Sequence, residues 1–291
     1  MPQTPDHYNF VHCDVFANRP YAGNSLAVFT DCAGLSAEQM LRMTQEMRHF
    51  ESIFLSQKQG QITARVFDLI EELPFAGHPL IGAACTLHRA SGSLTPQSWK
   101  IRLNGGRVVK IATDVEDGKY IGTLDQGTPE FIAALPAAAK PGFAKAFNLT
   151  TAQIADLPLE VISTGLKYLV IPLTSGLENA RITIADLDQK LADVGAEFAY
   201  LFDVNTFEGR HWNNDGIVED IATGSAAGVV GAFALKHGLI KAGDPATLKQ
   251  GHFMGRPSRL QVTAYGTPDS ITNISVAGQV AFVGEGKVVA P

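Results

Sequence analysis

The spacing of hydrophobic and polar positions changes period several times along the chain, and each change marks a new element. "YNFVHCDVFA" and "SLAVFT" (Ser25 to Thr30) are β-rich runs on either side of the turn residues "NRPYAGN", which predicts strand, turn, strand. "SAEQMLRMTQEM" then shifts to helical period. Ser36 can cap it with Gln39 three residues on, and Ala37, Met40, Leu41, Thr44 and Met47 fall near one face. "ESIFLSQ" and "ITARVFDL" alternate as strands, and "SWKIRL", "RVVKIAT" and "KYIGTL" read as a meander. Near Gly127 the alternation stops: "GTPEFIAALPAAAKPGFAKAF" is rich in Pro and Ala and predicts a linker.

Beyond that stretch the order of elements begins again. "LEVIST" and "LKYLVIPL" read as strands, "IADLDQKLADVG" as a helix, and "EFAYLFDV" and "GRHWN" as strands; "SRLQVTAYG", "SITNISVAG" and "QVAFVGEGKVVA" close the chain as further strands. Two halves of like order predict a duplicated α+β unit, with residues 1 to 126 forming one domain and 127 to 291 the other, the last strand able to cross back to the first. A length of 291 residues accommodates either one large domain or two ordinary ones.

Composition narrows the function. A formal net charge of -6 supplies no basic field for phosphate backbones, so no nucleic-acid partner is expected. Three cysteines, Cys13, Cys32 and Cys85, show neither paired spacing nor a zinc pattern, which predicts reduced thiols, no metal site and a cytoplasmic setting. "MPQTPDHYNF" lacks the layout of a signal peptide, and no apolar run reaches the roughly 18 residues of a membrane span, so neither export nor a membrane is expected.

Two small-residue loops carry the chemistry. "ELPFAGHPLIGAAC" (72 to 85) and "EDIATGSAAGVVGAFALKHG" (219 to 238) superpose when Gly77 is set on Gly224, which puts Glu72 on Glu219 and Ala76 on Thr223. Pro79 suits a first helical turn, leaving Gly77 and His78 at the mouth. In the second loop Thr223 or Ser225 can cap a helix running from Ala226, with Lys236, His237 and Gly238 at its end. Uncapped N–H groups and the positive end of a helix dipole suit an anion, and two such loops facing across a cleft would hold a small carboxylate. The same small residues also serve close helix packing, and both readings stand at this level. Proton transfer needs a titratable group as well: His78 and Asp220 border the loops, while Glu51 stands at the head of an apolar strand, where desolvation suits a carboxyl to carrying a proton near neutrality.

These motifs resemble the phenazine-biosynthesis PhzF-like family, which shares the diaminopimelate epimerase fold. "CDVFANRPYAGNSLAVF" looks like its opening, "ESIF" like its catalytic-glutamate strand, the two loops like its hallmark loops, and "QGHFMGRPSRL" (250 to 260) like a late motif. The resemblance implies two similar domains of mainly antiparallel strands around a central helix, an active site in the cleft between them, a homodimer and no cofactor. It further implies Glu51 as general acid/base, His78 and Asp220 as supporting catalytic residues, and Gly77, Gly224 and Ser225 as substrate-binding residues. Related epimerases carry a cysteine at each loop; here neither loop has one before its glycine, and alanines stand there at Ala76 and Ala222. That favours a one-carboxylate isomerase over a two-thiol racemase or epimerase, with a dehydratase and a non-catalytic carboxylate-binding protein as the other readings. The chain departs from the family pattern at Phe50, where serine is common, at Asn24–Ser25, where Asn-Pro is usual, at Phe67 to Leu69, and at Ile221.

Overall fold

The structure, a computed structural model, describes residues 7 to 291; the reading of "MPQTPD" as lacking a leader therefore concerns residues outside those described. The chain divides into two compact units, one running to Leu124 and taking back Ala277–Pro291, the other Asp125–Val276. The fold is sheet-rich α+β.

In the first unit the order is β1 (His7–Val15), β2 (Asn24–Phe29), α1 (Ala37–Met47), β3 (Glu51–Lys58), β4 (Gln61–Asp68), β5 (Glu72–Leu73), α2 (Gly77–Ser91), β6 (Gln97–Leu103), β7 (Val108–Glu116) and β8 (Lys119–Gly127). α1 begins as its sequence predicts: the Ser36 hydroxyl accepts from the Gln39 N–H and the Gln39 side chain accepts from the Ser36 N–H. Met40, Met43 and Thr44 are buried on its inner face, Met40 and Met43 joining Tyr8, Phe29, Phe54 and Phe67 in a core cluster. β2 and β3 pair in parallel, as do β4 and β6, while β1–β2, β3–β4, β6–β7 and β7–β8 are antiparallel. The ladder is thus mixed with antiparallel pairs in the majority, and the parallel pairs fall where α1 and α2 serve as crossovers.

The second unit continues with β9 (Glu130–Ala134), α3 (Lys140–Ala146), β10 (Glu160–Ser163), β11 (Lys167–Leu173), α4 (Leu187–Ala192), β12 (Phe198–Asp203), β13 (Glu208–Trp212), β14 (Glu219–Asp220), α5 (Gly224–Lys236), β15 (Ala246–Gln250) and β16 (Ser258–Thr267); β17 (Ser270–Val289) starts in it and belongs to the first unit from Ala277. The second unit's pairings repeat those of the first: β11–β12 and β13–β15 are parallel, and β10–β11, β12–β13, β13–β14 and β15–β16 antiparallel.

The predicted linker is corrected by the structure. Its residues form β9, which pairs antiparallel with β10, and α3, whose Phe143, Ala144 and Ala146 enter the core with Phe147. Alternation is missing because β9 has no buried face, and a register shift between Val161 and Ile162 breaks its ladder. The two tail segments read as separate strands form the single long β17, which pairs with β1 from Val280 to Val289.

A helix sits at the centre of each unit, α2 packed by β1, β2, β3 and β7, and α5 by β10, β11 and β16. This explains the small residues. A side chain at Gly82 would collide with Leu26, at Gly231 with Val262, and at Gly228 with Gln126. α5 is buried on every side, from Gly224 through Leu235 apart from Ser225, as expected of a helix that is apolar all round. Close packing therefore accounts for these glycines inside the helices.

Candidate active site

In each unit the loop before the central helix hangs from a two-residue strand, held by the same device. Phe67 pairs with Glu72 and Trp212 with Glu219, and the arginine two residues before each aromatic reaches across to the glutamate. Arg65 binds Glu72 through two nitrogens, and Arg210 binds Glu219 through Nε at 2.8 Å and Nη2 at 2.7 Å. The Arg65 guanidinium holds the Glu72 carboxyl below the ordinary carboxylate value. Neither loop's helix has a side-chain cap: Ala76 cannot supply one, and the Thr223 hydroxyl is turned elsewhere. α5 starts at Gly224 rather than Ala226, so the expected cap by Thr223 or Ser225 is corrected: Thr223 makes no capping bond and Ser225 lies within the helix, and both helix starts leave backbone N–H groups without a side-chain cap.

Glu51 opens β3 and His78 is the second residue of α2; both are buried, and His78 Nδ1 lies 3.4 Å from Glu51 Oε2. The expected acid/base and its histidine are thus brought together, with Gly77 next to His78 in sequence. In the second unit the shared registers place Phe198 where Glu51 stands, Tyr168 where Leu26 stands, and Ser225 where His78 stands. The Tyr168 and Ser225 hydroxyls share a hydrogen bond of 2.8 Å, and the Gly224 carbonyl accepts from Gln126 Nε2 at 2.8 Å. One frame thus carries a carboxylate–imidazole pair in one copy and two hydroxyls in the other.

Asp220 is buried in β14, opposite His211. Its Oδ2 accepts from the Thr223 hydroxyl at 2.7 Å, and its Oδ1 from the Ala222 N–H at 3.3 Å. The Ala199 carbonyl lies 3.0 Å from His211 Nδ1, and since a carbonyl only accepts, Nδ1 carries the proton. Burial pushes the His211 pKa below its ordinary value, more than the nearby Asp220 raises it. A histidine whose folded pKa is depressed leaves the unfolded chain binding the extra proton first. The stability it contributes is therefore whole above about pH 6.5 and is lost as pH falls below that value. We expect the wild type's unfolding free energy to decline from pH 7 to pH 5 more steeply than that of His211→Gln, measured by urea melts at each pH; parallel slopes would remove His211 from the account.

Two groups escaped the sequence reading. The Ser25 hydroxyl lies 2.6 Å from His49 Nδ1 and 3.2 Å from His12 Nε2, so its one proton serves one ring while it accepts from the other. Gln250, in the late motif, is fully buried beside the second loop. The cysteines are all free and buried; burial raises the Cys13 and Cys85 thiols and pushes Cys32 up to about 12. Among the described residues no cluster suited to a metal ion occurs, and no helix is long and apolar enough to cross a membrane.

Residues 13–286 match the model of the phenazine biosynthesis-like (PhzC-PhzF) family, and the chain belongs to that family. It is 32% identical to a trans-2,3-dihydro-3-hydroxyanthranilate isomerase of Pseudomonas aeruginosa, over 96% of this chain and 99% of the relative. It is 30% identical to an uncharacterized isomerase of Salmonella typhimurium, over 94% and 95%. Among solved structures it resembles a predicted epimerase from Pseudomonas aeruginosa, with TM-score 0.89, 41% identity and coverage of 98% of this chain and 100% of the other. A hydroxyproline epimerase from Agrobacterium vitis, at TM-score 0.60, 12% identity and coverage of 98% and 93%, shares the fold. The chain is an isomerase.

Proposed function

We propose that the enzyme moves a proton within a small carboxylic acid, without a cofactor, using Glu51 as the general acid/base. The observation that carries this reading is the contact between Glu51 and His78, both buried, at the uncapped mouth of α2. In the forward direction the Glu51 carboxylate takes a proton from a saturated carbon, the C–H electrons shift the adjacent double bond by one position, and protonated Glu51 returns the proton to the far carbon of the allylic unit. Substrate and product are isomers, so the step needs no electron acceptor. The imidazole of His78 stabilises whichever state of Glu51 the step requires.

Gly77 and Gly224 offer backbone N–H groups to the substrate carboxylate, Ser225 adds a hydroxyl held by Tyr168, and Asp220 accepts from a substrate donor. In this reading the protein works as a homodimer. Three buried thiols that keep their protons support an isomerase over a two-thiol racemase.

The test is a screen of small carboxylic acids in deuterated water, led by trans-2,3-dihydro-3-hydroxyanthranilate, the compound in the relative's name. We expect a product of unchanged elemental formula apart from exchanged hydrogen. Loss of water would assign a dehydratase, exchange at a single α-carbon with inversion would assign a racemase, and tight binding without turnover would assign a binding protein.

A further inference from the structure

The Gln250 side chain uses its full hydrogen-bonding capacity inside the second unit. Its Oε1 accepts from the Tyr200 hydroxyl at 2.9 Å and from the Thr223 N–H at 3.1 Å. Its Nε2 donates to the Asp220 carbonyl at 2.8 Å and to the Thr223 hydroxyl oxygen at 3.0 Å. The orientation of the amide is forced. Reversing it would set oxygen against the Asp220 carbonyl and nitrogen against the Thr223 N–H, losing both bonds. Because the Thr223 oxygen accepts from Gln250, its single proton is left for Asp220 Oδ2, to which it donates at 2.7 Å. The direction of donation therefore runs from Gln250 through Thr223 to the carboxylate.

The duplicated frame is built in its first copy without this circuit. By the strand registers, the first unit places Leu73 where Asp220 stands, Leu103 where Gln250 stands and Ile53 where Tyr200 stands, and Ala76 precedes its loop glycine where Thr223 does. Four hydrocarbon side chains occupy the positions of four polar ones, in the same ladder. A frame stable with hydrocarbon there has no call for a buried amide, whose desolvation is costly unless every bond is made. Gly209 is part of the same arrangement, since a side chain there would collide with the Tyr200 ring.

We infer that Gln250, itself oriented by Tyr200, is a positioning residue that fixes Asp220 as a hydrogen-bond acceptor and sets the angle of its carboxylate. The inference rests on the reading of Asp220 as part of the isomerase site. Gln250→Glu tests it with little change of volume, because a carboxylate cannot donate to the Asp220 carbonyl or to Thr223, and adds a like charge beside Asp220. Gln250→Leu installs the first unit's residue and guards against a misfolded first variant.

With trans-2,3-dihydro-3-hydroxyanthranilate as probe, and activity corrected for the folded fraction, we expect kcat/KM to fall on the order of 10- to 100-fold in both. In Gln250→Glu alone, activity recovers as pH falls, since the protonated acid regains a donor. A purely structural residue would lower the melting temperature without adding that limb. A second readout needs no turnover: the Thr223 hydroxyl proton should be visible by NMR and protected from exchange in the wild type, and lost in Gln250→Leu. A wild-type pH profile in Gln250→Glu, or a Thr223 hydroxyl proton exchanging at the solvent rate, overturns the inference. Absence of any Glu51-dependent turnover by the wild type instead overturns the isomerase reading, and the NMR result then decides the positioning of Asp220 by itself.

Discussion

Glu51→Gln is expected to lower kcat by about 10³-fold while leaving the protein folded, the loss ordinarily seen when a positioned general base is removed lying between about 10² and 10⁴. The amide has nearly the volume of the carboxyl and can occupy the same buried place at the head of β3. It cannot take up a proton at any pH the enzyme survives, so the step fails for want of an acceptor rather than of shape. KM should change far less, because the carboxylate of the substrate is assigned to the loop N–H groups and not to Glu51. The check is steady-state turnover of trans-2,3-dihydro-3-hydroxyanthranilate in light and heavy water, with a urea melt on the same preparation. Equal deuterium incorporation by variant and wild type would sink the role given to Glu51, and a melt collapsing with the activity would mean that the residue holds the strand start instead.

The elements that announce themselves locally were legible in the sequence. Ser36 and Gln39 lie three residues apart, and their reciprocal bonds join neighbours in sequence, so the helix start could be read from spacing alone. The two loops were legible because glycine, proline and small residues crowd a helix start. The linker misreading has a physical cause: β9 is held by its ladder to β10, and a strand with no buried face leaves no alternation to read. The Glu–His contact was half legible, in that both residues were singled out, but only the fold could bring positions 51 and 78 within 3.4 Å.

The paired arginines show most clearly what spacing hides. Arg65 and Glu72 are seven residues apart, Arg210 and Glu219 nine, because the turn between β13 and β14 is longer. Superposing the loops on their glycines therefore sets Arg65 against Trp212, and the shared device vanishes from the alignment. Strand register restores it. The Gln250 circuit was hidden for a related reason, since its members lie far apart in sequence and the first copy has only hydrocarbon to compare with them.

Because the device is used twice in different surroundings, its two copies should respond very differently to the same substitution. Arg210→Met is expected to cost about 3–5 kcal/mol of stability, the range for stripping one partner from a buried ion pair. The side chains of Arg210 and Glu219 are 9% and 7% exposed, and Nη1 of Arg210 also donates to the Leu177 carbonyl at 2.8 Å and the Ala180 carbonyl at 3.2 Å. The guanidinium lies over the rings of Trp212 and Phe253 at 4.5 and 4.6 Å, packing that lysine cannot reproduce. Arg65→Met should cost only about 1 kcal/mol, since Arg65 and Glu72 are 29% and 21% exposed and water can take over much of the pairing. Urea unfolding of the two variants at one pH checks the contrast, and equal losses would refute the assignment of the difference to burial. The double variant Arg210→Met with Glu219→Leu decides the mechanism. If an uncompensated buried carboxylate causes the loss, removing it should restore part of the stability, whereas a loss from packing alone would deepen.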